Sequence, residues 1–387
     1  MASTAPKIAE AEQFDSPAVF ASKVAKLVAL MRKSKHFIVF TGAGISTSAG
    51  IADFRGPRGV WTLRAQGKGD EIASVNTLQA IPTRAHMALV ALQKNQGEDT
   101  GIMKHLVSQN CDGLHRRSGI LPENISELHG NSNREYCANT TTCGKEYLRD
   151  FRATATYERS VHDHRTGRKC ILCRGALLDT IINFGESLPE KPLEDARRHA
   201  NEADLLLVLG SSLTVSPANS IPEIVGRKKG AKLVICNLQS TPIDGLADLR
   251  ISAKADDLMV AVMEGLGLGI PPFILRRKLA VEVKSQDDER HSVTLRGVDA
   301  DGTPVTFLRS LKMEGSRRVV KAEPFTINFR GSLEGGTELK LELEFMGHYN
   351  EPNLAISHVA EGGEEGRECF YELAYDPSNG EWVVEKV

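Results

Sequence analysis

The sequence predicts a doubly wound α/β domain carrying a small metal-stapled insertion, followed by an all-β, sandwich-like domain. Three observations lead there. Short apolar runs alternate with helical segments as far as about residue 270, four cysteines interrupt that alternation between residues 131 and 179, and beyond Pro271-Pro272 the apolar period drops to two. A length of 387 residues is ample for two domains, and 41% hydrophobic with 25% charged residues excludes a fibrous or disordered chain.

Each element has its own local cause. After a polar leader over residues 1–15, Ser16-Pro17 offers a helix start, and Val19, Phe20, Val24, Leu27, Val28 and Met31 recur at helical spacing. The run His36–Phe40 then enters a glycine-rich turn, as a buried parallel strand does at its carboxyl end. Comparable runs at Leu106–Ser108, Thr180–Phe184, Leu205–Leu209 and Leu233–Cys236 are read as further strands, with helices over Arg84–Gln93, Leu193–Asn201, Ala218–Arg227 and Asp256–Leu266. The catalytic-type domain is expected over residues 16–270, with the cysteine insertion over about 131–179. From about 275 to 387, the alternation of Thr337–Phe345 and turn signals at Asp301-Gly302, Gly335-Gly336 and Asp376–Gly380 fit an antiparallel sandwich.

Charge and cysteine usage narrow the setting. Residues 1–270 hold 33 Lys and Arg against 29 Asp and Glu, a balance of +4, and residues 271–387 hold 15 against 21, a balance of −6. Attraction to nucleic acid would therefore have to be local. No apolar run approaches the roughly 18 residues of a membrane span, and the polar start lacks the core of a secretory signal. An intracellular protein with no membrane association is expected. Seven cysteines, four of them in two pairs, fit a reducing compartment and a metal site better than a disulfide framework.

The chemistry-bearing motifs sit at the predicted strand ends. Gly42-Ala43-Gly44 with Ser46 lets backbone N–H groups approach phosphate oxygens. The third glycine of the dehydrogenase fingerprint is missing, and alone the turn is a weak signal. The loop that follows, with Asp53, Phe54, Arg55 and Trp61, looks like a lid. Gln109, Asn110 and Asp112 can bind a ribose or carboxamide, or cap the next helix. His129 can accept a proton near neutral pH, although a lone histidine is more often structural, as His115 is read to be. Gly210-Ser211-Ser212 and Asn237-Leu238-Gln239 follow two further strands, where a nucleotide meets a sheet edge. Cys170-x2-Cys173 and the wider Cys137-x5-Cys143 make a four-thiolate set for a closed, structural zinc site that could not activate water.

Together these residues resemble the sirtuin family of NAD-dependent protein lysine deacylases, over about residues 20–270. The motifs are Gly42-Ala-Gly44-Ile-Ser46, Asp53-Phe-Arg55, Gln109-Asn110-x-Asp112-Gly113, Leu128-His129-Gly130-Asn131, Gly210-Ser-Ser-Leu213 and Asn237-Leu-Gln239. Gly56-Pro-x-Gly-Val-Trp61-Thr62, Arg165-Thr-Gly-Arg168 and Asp179-Thr-Ile-Ile-x-Phe-Gly-Glu186 are similar to the nuclear branch containing human sirtuins six and seven, nearer to seven. Nothing after about residue 270 resembles the family.

The resemblance implies a Rossmann-like fold with structural Zn2+ and NAD as co-substrate. It implies His129 as proton acceptor, with Asn110 and Asp112 holding the carboxamide and a reactive water or ribose. NAD is expected across Gly42–Asp53 under Phe54 and Arg55, with its nicotinamide end at Gln109–Asp112. Its adenosine end is expected at Gly210–Ser212, Asn237–Gln239 and Ala255. Phe184-Gly185-Glu186 and Leu213-Thr-Val215 would flank an acylated-lysine peptide or protein. Products would be nicotinamide, free lysine and O-acyl-ADP-ribose. Nuclear localisation and chromatin association are implied for the branch, and the C-terminal domain is read as a possible partner-binding module. Mono-ADP-ribosyl transfer, NAD hydrolysis and a chromatin scaffold stand as alternatives. Ala52, where the family has proline, is a departure, as is the wide first cysteine spacing.

Overall fold

The computed structural model describes residues 10–72, 75–93, 101–154, 162–333, 336–360 and 368–387. The chain divides into two compact units. The first comprises Met1–Ser132, Arg159–His164 and Thr180–Phe273, and the second Asn133–Glu158, Arg165–Asp179 and Ile274–Val387.

The first unit is built on six parallel strands, β1 (Phe37–Thr41), β2 (Met103–Ser108), β3 (Ile125–Glu127), β4 (Leu205–Leu209), β5 (Lys232–Cys236) and β6 (Leu249–Ile251). Their order across the sheet is β6-β5-β4-β1-β2-β3, that of a doubly wound dinucleotide-binding sheet. Its helices are α1 (Pro17–Lys33), α2 (Val60–Ala65), α3 (Arg84–Gln93), α4 (Leu114–Ser118), α5 (Glu190–Glu202), α6 (Ser220–Arg227) and α7 (Ala255–Leu266). Successive strand side chains point to opposite faces. Phe37 and Val39 accordingly join a cluster with Leu27 of α1, Leu89 of α3 and Met259 of α7, whereas Ile38 and Phe40 join Ala196 and Ala200 of α5 and Val225 of α6. Both faces are covered, which is why these strands read as unbroken apolar runs.

The helices meet their expected positions closely, and Pro17 opens α1 as proposed, although Ser16 makes no side-chain cap bond. Two short strands, β3 and β6, have too few residues to show a period. One predicted strand is absent, since Thr180–Phe184 joins no sheet. Thr180 and Ile182 spend their hydrogen bonds on the loop after β3. The Thr180 hydroxyl donates to the Asn131 carbonyl and accepts from its N–H, both at 3.0 Å, and the Ile182 N–H donates to His129 at 3.1 Å.

The second unit stacks two sheets over one core. A ten-stranded sheet and a four-stranded sheet (Val319–Val320, Leu308–Met313, Thr337–Phe345, Leu354–Ala360) enclose Val281, Leu295, Phe307, Leu311, Leu341, Leu343, Ile356 and Leu373. The alternation of Thr337–Phe345 is the burial pattern of a strand with one face inward. Asp376–Gly380 closes a hairpin between Glu368–Asp376 and Glu381–Lys386; the turn signal at Gly335 falls outside the described residues.

The cysteine lobe interrupts the first unit along the chain and extends the sheet of the C-terminal strands. Its strand Glu146–Arg149 runs parallel to Pro304–Thr306, with Leu148 opposite Val305 and Arg149 opposite Thr306. A charge network lies at that seam. Arg149 donates to Glu135, Thr306 and Glu323, and Arg168 donates to Glu135, whose side chain is wholly buried. Burial pushes the Glu135 carboxyl up, but the Arg168 and Arg149 guanidinium groups prevail and hold it below its usual range. Asp150 beside it accepts from Arg277 at 2.8 Å, and its carbonyl accepts from His348 at 2.6 Å. Nothing in the spacing of these residues announces such pairings across more than 120 positions of sequence.

Candidate active site and metal centre

All six strands of the parallel sheet deliver a candidate residue at their carboxyl ends. β1 leads into Gly42–Ser46, β2 into Gln109–Asp112, β3 into His129, β4 into Gly210–Ser212, β5 into Asn237–Gln239, and β6 towards Ala255 at the start of α7. β1 and β4 are neighbours at the point where the strand order reverses, the place where such sheets bind ligands.

At that point backbone meets backbone. The Gly44 N–H donates to the Gly210 carbonyl at 2.9 Å, and a Cβ on Gly44 would lie 2.7 Å from the Gly210 Cα. Gly210 itself has φ +61. Glycines are required on both sides because nothing larger fits, and the resulting hollow is one that a phosphate can approach.

Polar side chains from three loops are tied into the same hollow. Ser46, wholly buried, donates to Asp112 at 2.7 Å, and the other Asp112 oxygen accepts the Leu114 N–H at 2.9 Å. The Asn110 amide donates to the Gly42 carbonyl at 3.1 Å, and the Gln109 amide to Ser211 at 2.7 Å. Ser212 lies 3.0 Å from Thr214. His115, beneath them, meets Thr41 at 2.9 Å and is pushed down to about 3 by burial.

His129 is half-buried and, among the described residues, anchored from one side only. Its Nδ1 lies 3.0 Å from the Gln109 carbonyl. A carbonyl can only accept, so Nδ1 carries the proton and Nε2 keeps its lone pair. Burial pushes its pKa below 6.5, with the Gln109 bond acting the other way. Uncharged at neutral pH, this histidine is suited to take a proton.

The lid residues form an aromatic group. Arg55 stacks on Trp61 at 4.4 Å, Phe54 lies 4.8 Å from Trp61, and Trp61 lies 5.4 Å from Phe184. Phe54 and Phe184 remain 44% and 50% exposed, which is unusual for rings already in contact with others and marks a surface that can cover a ligand. Asp53 accepts the Gly56 N–H and is raised by burial. Glu186 accepts from His162 at 2.6 Å and His164 at 3.0 Å, and despite the opposing effect of burial it is held down to about 2. Neither histidine drew notice in the sequence, because the contact depends on where the chain returns to the first unit.

Other expected residues take less direct parts. Leu213 is wholly buried in the core, so only its backbone could meet a peptide, whereas Val215 is half-buried. Gly185 has φ +91. The Asn237 amide donates to Gln239 at 2.9 Å, and Arg250 binds the Asn237 carbonyl at 2.7 Å, which braces the turn around Leu238. Ala255 is buried.

In the second unit the four cysteines converge. Their sulfur atoms all lie within 4.8 Å of one another, with Cys137 3.3 Å from Cys173 and Cys143 3.6 Å from Cys170. Those separations are far beyond a disulfide bond of about 2.05 Å and near the roughly 3.8 Å between thiolates on tetrahedral zinc. The residues therefore fit structural zinc. The wide Cys137-x5-Cys143 spacing is taken up by a turn in which the Asn139 carbonyl accepts from Cys143 at 2.8 Å. Tyr147 lies with its hydroxyl 3.1 Å from the Cys170 sulfur, the kind of outer partner that orients a ligand.

The chain is similar to known proteins. A profile of the Sir2 family matches residues 70–217. The NAD-dependent protein deacetylase SRT1 of Arabidopsis thaliana is 38% identical over 369 residues, which span 88% of this chain and 75% of that protein. The chain belongs to the Sir2 family. Within this family of sirtuins, the NAD-dependent protein deacetylase sirtuin-7 of Homo sapiens is 40% identical over 294 residues, 73% of this chain and 70% of its own. A solved structure described as Sir2-p53 peptide-NAD+ is 34% identical and covers 62% of this chain and 98% of its own, with a TM-score of 0.48. Among the described residues of this sirtuin, no helix is long and apolar enough to cross a membrane.

Proposed function

We propose that this sirtuin is an NAD-dependent protein lysine deacylase. The observation that carries the proposal is His129, half-buried, held through Nδ1 by the Gln109 carbonyl and left with a free lone pair on Nε2. The Gly42, Gly44 and Gly210 hollow would receive the phosphates, Gln109 to Asp112 the nicotinamide end, and the turns at Ser211 and Asn237 the adenosine. Bound NAD supplies an electrophilic ribose carbon and nicotinamide as leaving group.

The chain's own residues do the rest. Asn110 and Asp112, each already fixed by one internal hydrogen bond or two, present their remaining acceptor and donor positions at low reorganisation cost. His129 Nε2 takes a hydroxyl proton and holds it as an imidazolium, stabilised by the Gln109 carbonyl. Phe54, Trp61 and Phe184 exclude water, so that the acyl oxygen rather than solvent is the acceptor. An acyl-lysine peptide would add as a strand between Phe184–Glu186 and the backbone of Leu213–Val215. One water is consumed when the lysine amine leaves, and the products are nicotinamide, free lysine and O-acyl-ADP-ribose.

Nuclear proteins, histones included, are the proposed substrates, on the resemblance to the sirtuin six and seven branch. Of the two basic clusters, Arg276-Arg277-Lys278 lies in a strand with Arg277 paired to Asp150. Arg227-Lys228-Lys229 is the more accessible import signal, and a fluorescent fusion with that cluster neutralised tests it.

The deciding experiment incubates the chain with NAD and peptides bearing acetyl, succinyl or long-chain acyl lysine and follows nicotinamide release. Release should require the acyl peptide and vanish in His129→Ala. Release without peptide that survives His129→Ala would overturn the assignment in favour of NAD hydrolysis.

A further inference from the structure

At the amino end of the parallel sheet, about 17 Å along β1 from the Gly42 turn, two histidines and a glutamate meet in an arrangement that the chemistry above does not use. His36 stands just before β1, and His199 and Glu202 lie three apart on the last turn of α5, hence on one face. His36 Nε2 and His199 Nδ1 are 3.0 Å apart, and Glu202 Oε2 lies 3.6 Å from His36 Nδ1. One ligand atom from each of the three falls within 4.8 Å of the other two. Donor atoms sharing a zinc ion at bonds of about 2.1 Å stand about 3.4 Å apart. A shared cation would replace the hydrogen bond between the two rings, with the half-exposed Glu202 turning towards the same pair of nitrogens.

The surroundings hold these side chains ready. His105, 2% exposed, stacks on His199 at 4.1 Å with an interplanar angle of 3°, and its own Nε2 meets the Ser126 hydroxyl at 2.8 Å. That stack fixes the plane of the His199 ring. Asp204 accepts the backbone N–H groups of Lys35 at 2.7 Å and His36 at 3.2 Å, which fixes the approach of His36. Glu202 is half exposed and leaves the group open to solvent. Among the described residues this is the one other cluster of metal-ligating side chains besides the four cysteines.

We propose that His36, His199 and Glu202 form a second metal site, one that takes Zn2+ or another borderline divalent cation through two imidazole nitrogens and a carboxylate, with the fourth position left to water. Two nitrogens and one oxygen suit zinc, copper or nickel better than magnesium or calcium, which prefer all-oxygen sets. Three protein ligands and an open position distinguish it from the closed cysteine site.

The full-length chain, dialysed to equilibrium against micromolar free Zn2+, should hold two zinc ions per chain by elemental analysis. His199→Ala should hold one, and Glu202→Gln should need at least about tenfold more free Zn2+ for the second. Because Glu202 is half exposed, Glu202→Gln keeps the test valid if His199→Ala fails to fold, with a thermal melt as control. One zinc per wild-type chain at saturation, or a second zinc retained in both variants, would overturn the proposal and leave a hydrogen-bonded histidine pair only.

Discussion

The cleft of the first unit and the cysteine lobe of the second solve the problem of fixing side chains by opposite means. In the cleft, most candidate residues follow a largely buried strand and are tied to backbone or to a neighbouring loop, as Asn110 is to Gly42 and His129 to Gln109. In the lobe, the strands are short and the local cluster holds little beyond Cys137, Tyr147, Cys170 and Leu177. A core of that size cannot stabilise itself. The lobe relies on a metal and on sheet pairing with distant strands. The lesson is that a large core makes a site rigid by itself, whereas a small one needs cross-links.

Five experiments break or sharpen that contrast. The largest effect belongs to Cys170→Ser, since structural zinc is worth on the order of 10 kcal/mol in isolated small domains. It should lose the tightly held zinc and lower the melting temperature of the second unit, with sheet pairing retaining part of the stability. Unchanged melting would show that the seam alone holds the lobe.

Arg149→Met should cost about 3–5 kcal/mol in denaturant unfolding, because the buried Glu135 carboxylate loses one of its two cations. Removing Glu135 as well should recover part of that. If Arg149→Met behaves like a surface change, the seam is not what secures the lobe.

In the cleft, His129→Ala should lower turnover by about 10²- to 10⁴-fold, with zinc content and melting temperature unchanged. A variant that loses zinc along with activity would break the separation between the two regions.

Gly44→Ala is a smaller insult, at about 1–3 kcal/mol of overpacking. Its Cβ would meet Gly210 at 2.7 Å, so both stability and NAD-dependent turnover should fall.

A graded effect comes with pH. His86, His105 and His115 are pushed by burial from 6.5 to about 3. Between those values the unfolded chain binds protons that the folded chain does not, so stability is present above pH 6.5 and lost progressively below it. Melting of the first unit should therefore decline from pH 7 to pH 5 with zinc still bound. A flat profile would mean that these histidines are protonated in place. The lowered His129 also places the acidic limb of turnover below pH 6.5.

Much of the first unit was legible because its signals are local. Gly42, Asn110, Gly210 and Asn237 each follow an apolar run bounded by a turn, which reads as a buried strand, and strand ends are where a doubly wound sheet puts its ligands. Thr180–Phe184 misled for the same reason, being apolar enough for a strand, yet its hydrogen bonds go to Asn131 and His129. The link from Glu186 to His162 and His164 was invisible, because the residues are brought together by a chain that leaves the unit and returns.

The sequence by itself determined most of the long strands and helices of the first unit, the positions of the nucleotide-type turns, the four thiolate ligands and the change to an all-β tail. These follow from periodicity, glycine and cysteine, which act over a few residues. Only the tertiary structure decided that His129 is held by Gln109, that Gly44 and Gly210 share one hollow, and that the cysteine lobe extends the C-terminal sheet. Those facts depend on registers and packing between segments up to 198 positions apart, such as Asp150 and His348. No local period encodes such pairings, because they arise only when separate faces are buried against each other.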